Sequence, residues 1–264
     1  MRRLIGQNRF PSIVDSSGVW DLNELHKGRL MGQWPGLLTP YQGVVMADDP
    51  TFFFTFDDEA FPGELIDITE NGLHGTHQGL VSEGEQGPFS SERSRSAFYD
   101  GGNTIVPANS IFGSGTALNE LSFEVWLFPV PEMSSQGNSW IGGVADSWNN
   151  PAWNLYLRSG SPGISWQIDG GNFRPSLAPL TSMWHHIVCT YGFSSRTVYL
   201  DGVELDTSSA NSDTGVASST EDFDIAGSDK GLNEFLGYIS NVAFYRHKLT
   251  DNQVLSHFQA AEVL

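Results

Sequence analysis

The residues best suited to chemistry lie between positions 138 and 175. There Trp140, Trp148, Trp153, Tyr156, Trp166 and Phe173 are interleaved with Asn, Asp, Ser and Gly. Aromatic rings beside amides and carboxylates are what a sugar needs: a flat apolar platform for one face, and paired hydrogen bonds for its hydroxyls. Asp146-Ser147-Trp148-Asn149-Asn150-Pro151 is the stretch placed to present such groups, because Asn-Asn-Pro does not continue a strand. Asp146, Trp148, Asn149 and Asn150 are therefore the candidate glycan-binding residues, with packing beneath a neighbouring segment as the alternative. Trp140, Trp153 and Trp166 fall in apolar alternation and are expected in the core.

The other reactive side chains offer less. His74-Gly75-Thr76-His77 could pair on a metal, but its Gly-rich setting predicts an exposed loop. His185 and His186 are neighbours on a predicted strand, so they face opposite ways and cannot chelate one ion. Cys189 is the single cysteine, which excludes an internal disulfide and makes a secreted, disulfide-stapled module a poor fit. It sits in a strand pattern as a small core residue. Catalytic residues are not evident, and no enzymatic activity is expected.

Several elements can be placed from periodicity alone. Ile187, Cys189 and Tyr191 alternate along one pleat, and Val198 and Leu200 along its neighbour. Asp201-Gly202 between apolar runs predicts a two-residue hairpin turn with positive φ at both positions. Near the end, Thr250 and Gln253 form a capping box and Leu249 and Val254 a staple. Val254, Leu255 and Phe258 then make the apolar stripe of a short helix.

Composition sets the outer bounds. The chain has 264 residues, enough for one large domain plus an arm, and its 29 Gly, 13 Pro and 12% aromatic residues suit many short strands with tight turns. The formal charge of −18 is unevenly spread: residues 1–45 carry +2 and residues 46–264 carry −20. So acidic a body argues against nucleic-acid binding, which needs a basic footprint. It is compatible with bound cations, or with simple solubility. No apolar stretch has the length of a signal peptide or a membrane span, so the expectation is a protein folded in a cytosol.

The chain divides into an arm, residues 1–45, and a body, residues 46–264. Within the arm, Asp21 and Glu24 can form a capping box, Trp20 and Leu25 a staple, and Gly28 a stop. Two turns of helix are not stable alone in water, so Trp20, Leu22, Leu25, Met31 and Trp34 must bury against this domain or against a partner. They are the candidate partner-docking residues. The stretch Ser16–Gly36, with Gly-Val-Trp-x-Leu followed by Trp-Pro, resembles an N-terminal module of tailed-bacteriophage structural proteins. An extension packed on its own body is the alternative.

The body resembles laminin-G-like domains of the concanavalin A-like lectin/glucanase superfamily. The resemblance rests on Phe52–Asp58, Ala97–Gly102, Leu121–Pro129, Trp184–Tyr191 with Val198–Val203, Phe223–Gly227, Phe235–Tyr245 and Leu249–Leu255. It implies an all-β fold: a two-sheet antiparallel jelly-roll sandwich with a short C-terminal helix and, here, an extended N-terminal arm. It also suggests calcium as the one cofactor, on Asp57, Asp58 and Asp67, or on Asp146 with Asn149 and Asn150, although no string has the spacing of a dedicated calcium loop. Glycosidases on this fold need two carboxylates across a sugar. The nearest strings, Glu64 to Glu70 and Glu221 to Asp224, lack the spacing, and Glu124 has no acidic partner two residues on.

Together the resemblances imply a non-enzymatic virion protein, assembled in the host cytoplasm. Its arm would dock onto capsid or tail proteins of a phage, and its sandwich could meet host-surface glycans. A homo-oligomeric or lattice-bound state, without nucleic-acid or membrane partners, goes with this. The sequence holds no fibrous repeat or heptad stalk, which favours capsid decoration over a fibre. The alternative is a free carbohydrate-binding lectin, with glycoside hydrolysis third.

Overall fold

The computed structural model describes residues 38–57, 63–69, 71–90, 94–107, 118–130, 138–145, 151–158, 163–168, 171–175, 180, 182–192, 195–209, 216, 221–227 and 234–261. The docking candidates Trp20, Leu22, Leu25, Met31 and Trp34 lie outside them, as do Asp58 and the glycan candidates Asp146, Trp148, Asn149 and Asn150.

Alternating apolar residues become fourteen described strands and two short helices. In chain order these are α1 (Pro40–Ala47), β1 (Phe52–Phe54), β2 (Glu64–Leu65), β3 (Gly75–Gln86), β4 (Arg95–Val106), β5 (Glu120–Pro129), β6 (Ser139–Ala145) and β7 (Pro151–Leu157). There follow β8 (Ile164–Ile168), β9 (Gly171–Phe173), β10 (His185–Gly192), β11 (Ser195–Leu200), β12 (Val203–Ser209), β13 (Phe223–Ile225), β14 (Leu236–Tyr245) and α2 (Asp251–Ala260). All pairings are antiparallel, in the order β12-β11-β10-β5-β14-β4-β13-β6-β7-β8-β9, with β1 on β14 and β3 on the other side of β4.

One strand belongs to both layers. The first half of β4 (Ala97–Asp100) pairs β14, and its second half (Thr104–Val106) pairs β13. The change of sheet falls at Gly101-Gly102, where Gly79 of β3 lies opposite Gly102. Gly79 has φ +72°, and a Cβ there would sit 2.6 Å from the Gly101 carbonyl oxygen, so only glycine lets both strands turn together.

The main core fills the space between the sheets. On β5, Leu121, Phe123, Val125 and Leu127 point into it, meeting Trp153, Leu155 and Trp166 of the second sheet and Ile187 and Cys189 of β10. Trp140, Trp153 and Trp166 are fully buried, as their alternation predicts. The hairpin follows its sequence too: Leu200 pairs Val203, with Asp201 and Gly202 between them at φ +51° and +78°. The fold is thus the antiparallel jelly-roll sandwich that the resemblance implies.

A second, smaller core lies outside the first sheet. It gathers Phe53, Trp126, Val188, Ala243 and Tyr245 from that sheet's outer face, with Tyr41 and Val45 of α1 and Val254 of α2. Helix α1 straddles the boundary between residues 45 and 46, and packs on the sheet and against α2. It carries a complete capping box, Thr39 with Gln42, and Pro40 in its first turn. Helix α2 has the Thr250–Gln253 box that its sequence announces. Its stripe needs one correction: Leu255 is 38% exposed, and His257 is buried instead. Positions three and four after Val254 share its face, whereas the next residue lies about 100° away.

Candidate functional site

The densest polar chemistry in the described residues is built on the outer face of β5. Pleating sends Ser122, Glu124 and Trp126 away from the main core and toward the two helices. Ser122 Oγ accepts from Leu249 N at 2.8 Å and donates to the His247 carbonyl at 2.9 Å, which fixes the approach to α2. Tyr199 Oη donates to Asp251 at 2.6 Å, in the first turn of α2. Between these ties lies Glu124, fully buried.

The Glu124 carboxylate collects four partners from four elements. Tyr41 of α1 donates its hydroxyl to Oε1 at 2.7 Å, and Tyr245 of β14 donates to Oε2 at 2.8 Å. His186 of β10 brings Nε2 to 2.7 Å, and His257 of α2 brings Nδ1 to 3.0 Å. The far nitrogen of His257 reaches Asp48, at the end of α1, at 2.8 Å. One imidazole therefore stands between two carboxylates, one carried by each layer that it joins.

Electrostatics makes this a charged clasp. Burial alone would push the Glu124 carboxyl up, but the charge of His257 and hydrogen bonds from His186 and His257 hold it well below the usual carboxylate range. Burial pulls His257 down, yet the charge of Glu124, its hydrogen bond and Asp48 raise it to about 9. At neutral pH the core of the clasp is an ion pair, with the imidazolium donating from both nitrogens. Burial and the Glu124 charge push the Tyr41 and Tyr245 hydroxyls up, so both remain donors. Because an ionised carboxylate can only accept, His186 directs Nε2–H at Glu124. Every strong interaction of Glu124 is spent inside the fold, and none faces a substrate.

Two of the metal candidates, Asp67 and Asp57, make hydrogen bonds within the fold. Asp67 is buried in the turn after β2, where Oδ1 accepts from Phe53 N and Thr69 N at 3.0 Å each. Its Oδ2 accepts from Leu73 N at 2.9 Å and Thr69 Oγ1 at 2.8 Å, so its acceptor positions are filled without a cation. Asp57 Oδ2 accepts from Gln42 Nε2 of α1 at 3.1 Å. Among the described residues, no three His, Cys, Asp or Glu side chains are grouped to hold a metal ion. Within the described residues, Asp67 and Asp57 tie turns to their neighbours.

His77 corrects the loop expectation, whereas His74 lies in an exposed loop as expected. His77 lies within β3 and bonds Thr104 Oγ1 at 2.6 Å, while His74 Nδ1 accepts from Asp67 N at 3.1 Å. Long-range pairing with β4 overrides the local glycine signal. His185 and His186 do face opposite ways: His185 meets Asp201 of the hairpin turn at 3.1 Å, and His186 meets Glu124. No single window of sequence marks the clasp, because its members are spread from position 41 to 257. The capping box Thr39-Pro40-Tyr41-Gln42 is a legible signal of α1, and it would have placed Tyr41 on a helix.

Residues 100–255 match the family profile described as concanavalin A-like lectin/glucanases superfamily, Laminin_G_3, and the chain belongs to that superfamily. No curated protein sequence matches it. Domain 4 of AbnA, a GH43 extracellular arabinanase from Geobacillus stearothermophilus, in complex with arabinotriose, aligns with a TM-score of 0.58 at 19% identity; the alignment covers 80% of this chain and 98% of that one. The binding domain of Paraclostridial Mosquitocidal Protein 1 aligns at 0.58 and 16% identity, over 80% of this chain and 52% of that one. Botulinum neurotoxin type C, described as dependent on two ganglioside molecules for reaching the cell interior, aligns at 0.61 and 14% identity, over 81% and 52%. The present chain thus spans about half the length of the two toxin chains. At these identities the likeness is one of fold, a lectin-like sandwich that occurs in binding domains and beside hydrolases alike.

Proposed function

We propose that this chain is a non-enzymatic structural and recognition protein of a tailed-phage virion. Its N-terminal arm docks onto capsid or tail proteins, and its lectin-like sandwich is held outward toward host-surface glycans. The observation that carries this reading is the clasp. The segment joining arm to body is not a free linker: α1 is locked to the sheet through Tyr41 and Asp48, on Glu124 and His257. An arm can fix a domain in a lattice only if its root is rigid, and four charged or hydroxyl side chains make it so. Among the described residues, the carboxylate held furthest below its usual range is closed off within that joint, which supports a binding rather than a hydrolytic role. The arm's Gly-Val-Trp-x-Leu and Trp-Pro pattern supports the phage placement.

The glycan side of the proposal draws on the fold and on two structural neighbours, one described with arabinotriose and one with gangliosides. Truncation tests the placement. Removing residues 1–37 spares Thr39 and α1, so the sandwich and clasp should fold unchanged while incorporation into particles is lost. Electron microscopy of native particles that finds no ordered copy of this chain, or a truncated chain that still assembles, overturns the virion placement and leaves a free lectin.

A further inference from the structure

At one end of the first sheet, the outer face carries four aromatic rings in a line. Tyr238 of β14 pairs Phe98 of β4 on one side and Phe128 of β5 on the other. His185 of β10 pairs Leu127, which sets Trp184 beside Phe128. The rings follow these registers. Their centroids lie 4.8 Å apart for Phe98 and Tyr238, 5.8 Å for Phe128 and Tyr238, and 5.9 Å for Phe128 and Trp184. The neighbours along the strands, Ala97, Tyr99, Leu127 and Ile239, enter the main core, so pleating turns the four rings outward. Four adjacent strands make the row roughly 14 Å wide.

Among the described residues, the helices cover only part of this face. Two residues along their strands from Phe128 and Trp184, Trp126 and His186 are fully buried beside Tyr41 of α1 and Phe258 of α2. Phe98, Phe128, Trp184 and Tyr238 are only half-buried, and Met183 and Leu80 at the flanks of the row are 52% and 68% exposed. Single apolar side chains on a surface need no explanation, but a contiguous aromatic row does. Tilted and edge-on rings hold one another in place, so the row is a preformed surface.

The place where the chain enters this structure points to what covers the row. Leu38 packs against the same outer core as Trp184, so the 37 residues before it arrive beside the row. Trp34 stands four residues upstream of Leu38, and a fully extended chain would carry it no further than roughly 14 Å, the width of the row. Trp34-Pro35-Gly36-Leu37 offers two large apolar side chains and no charge. The arm as a whole carries +2 against −20 on the body, which favours its approach. Its tether also gives it a higher effective concentration than a free partner would have.

We propose that the aromatic row is the docking surface for Trp34-Pro35-Gly36-Leu37 of the same chain, with the Trp34 ring laid against Tyr238 and Trp184. The root of the arm is then held twice, by the clasp through α1 and by the row just ahead of it. Trp20, Leu22 and Leu25 stay available to a partner. The inference does not depend on the virion placement, which concerns those outer residues.

A double-mutant cycle in the full chain tests it, with Trp34→Ala, Tyr238→Ala and both together, each read as the midpoint of urea denaturation followed by circular dichroism. Each single change should lower the midpoint by roughly 0.5 M, and the double change no further than the larger single one. Additive shifts, or no shift in Trp34→Ala, overturn the inference and leave the row to a partner from outside the chain. Cross-linking reads the same contact without relying on stability. Cys189 is buried, so Pro35→Cys with Met183→Cys supplies the only accessible thiols, and a short bis-maleimide should join them within one monomer. A cross-link formed only between two chains assigns the row to the arm of a second copy, and also overturns the inference. Absence of the chain from particles would overturn the virion placement and leave both readouts unchanged.

Discussion

Replacing Glu124 by Gln probes the clasp most directly, because it keeps the shape of the side chain and removes its charge. In the native fold that carboxylate accepts from Tyr41, Tyr245, His186 and His257 at 2.7 to 3.0 Å, with no exposed surface. A carboxamide keeps one acceptor oxygen and turns an NH2 toward groups that are themselves donors. It also leaves the His257 imidazolium with Asp48 alone. Breaking a buried ion pair on one side costs about 3–5 kcal/mol, because the remaining charge stays desolvated. For a domain of this size, at roughly 2 °C per kcal/mol, the melting temperature should fall by about 6–10 °C.

The pH dependence makes the same test sharper. His257 rises from an ordinary 6.5 to about 9 on folding, so the folded state binds the extra proton between those values. Its stabilisation is complete below about pH 6.5 and is lost as the pH climbs through 9, a change of about 3 kcal/mol. Glu124 acts at the other end. Its carboxyl is held below 4.5 by the clasp, so its contribution is present above that pH and is lost as acid protonates it. Wild-type stability from this cluster should therefore plateau between about pH 4.5 and 6.5 and decline toward pH 9. In Glu124→Gln the principal charge raising His257 is gone, and the alkaline slope should flatten. Urea denaturation followed by tryptophan fluorescence at pH 5.5, 7.5 and 9 measures both quantities. A variant as stable as wild type, or one that keeps the full alkaline slope, would refute the clasp.

Two further outcomes follow from packing. Gly142→Ala places a Cβ 2.6 Å from Phe123 Cζ in the main core, and should cost about 1–3 kcal/mol in the same denaturation assay. Asp67→Asn removes acceptor capacity from a carboxylate holding three backbone amides and a hydroxyl, at about 1–3 kcal/mol. Thermal melts in calcium and in EDTA should show that same loss equally, and a loss confined to one of them would restore Asp67 as a metal ligand.

Much of the fold is legible because it depends on short-range rules. Alternation along Leu121–Pro129 and His185–Tyr191 separates an inward from an outward face without reference to any other strand. Asp201-Gly202 sets its hairpin because few other pairs accept positive φ twice, and Thr250 with Gln253 starts α2 by satisfying its own first amides. The same kind of signal at Thr39 and Gln42 marks α1. By contrast, Gly75 and Gly79 suggest a loop locally and lie in a twelve-residue strand, because pairing with β4 outweighs local preference.

What the chain determines by itself, then, is which residues alternate, turn and cap: enough for the jelly roll, its tryptophan core and its terminal helix. Only the tertiary structure decides the polar chemistry. Glu124 reads in sequence as an acid without a partner on its own strand, and it finds Tyr41, His186, Tyr245 and His257 only when three strands and two helices converge. The aromatic row is decided in the same way: Phe98 and Tyr238 stand 140 positions apart, and become neighbours through the register of β4 and β14. Periodicity is a property of neighbouring residues and survives in one dimension. A cluster or a row is a property of strand order, which the sum of long-range pairings fixes.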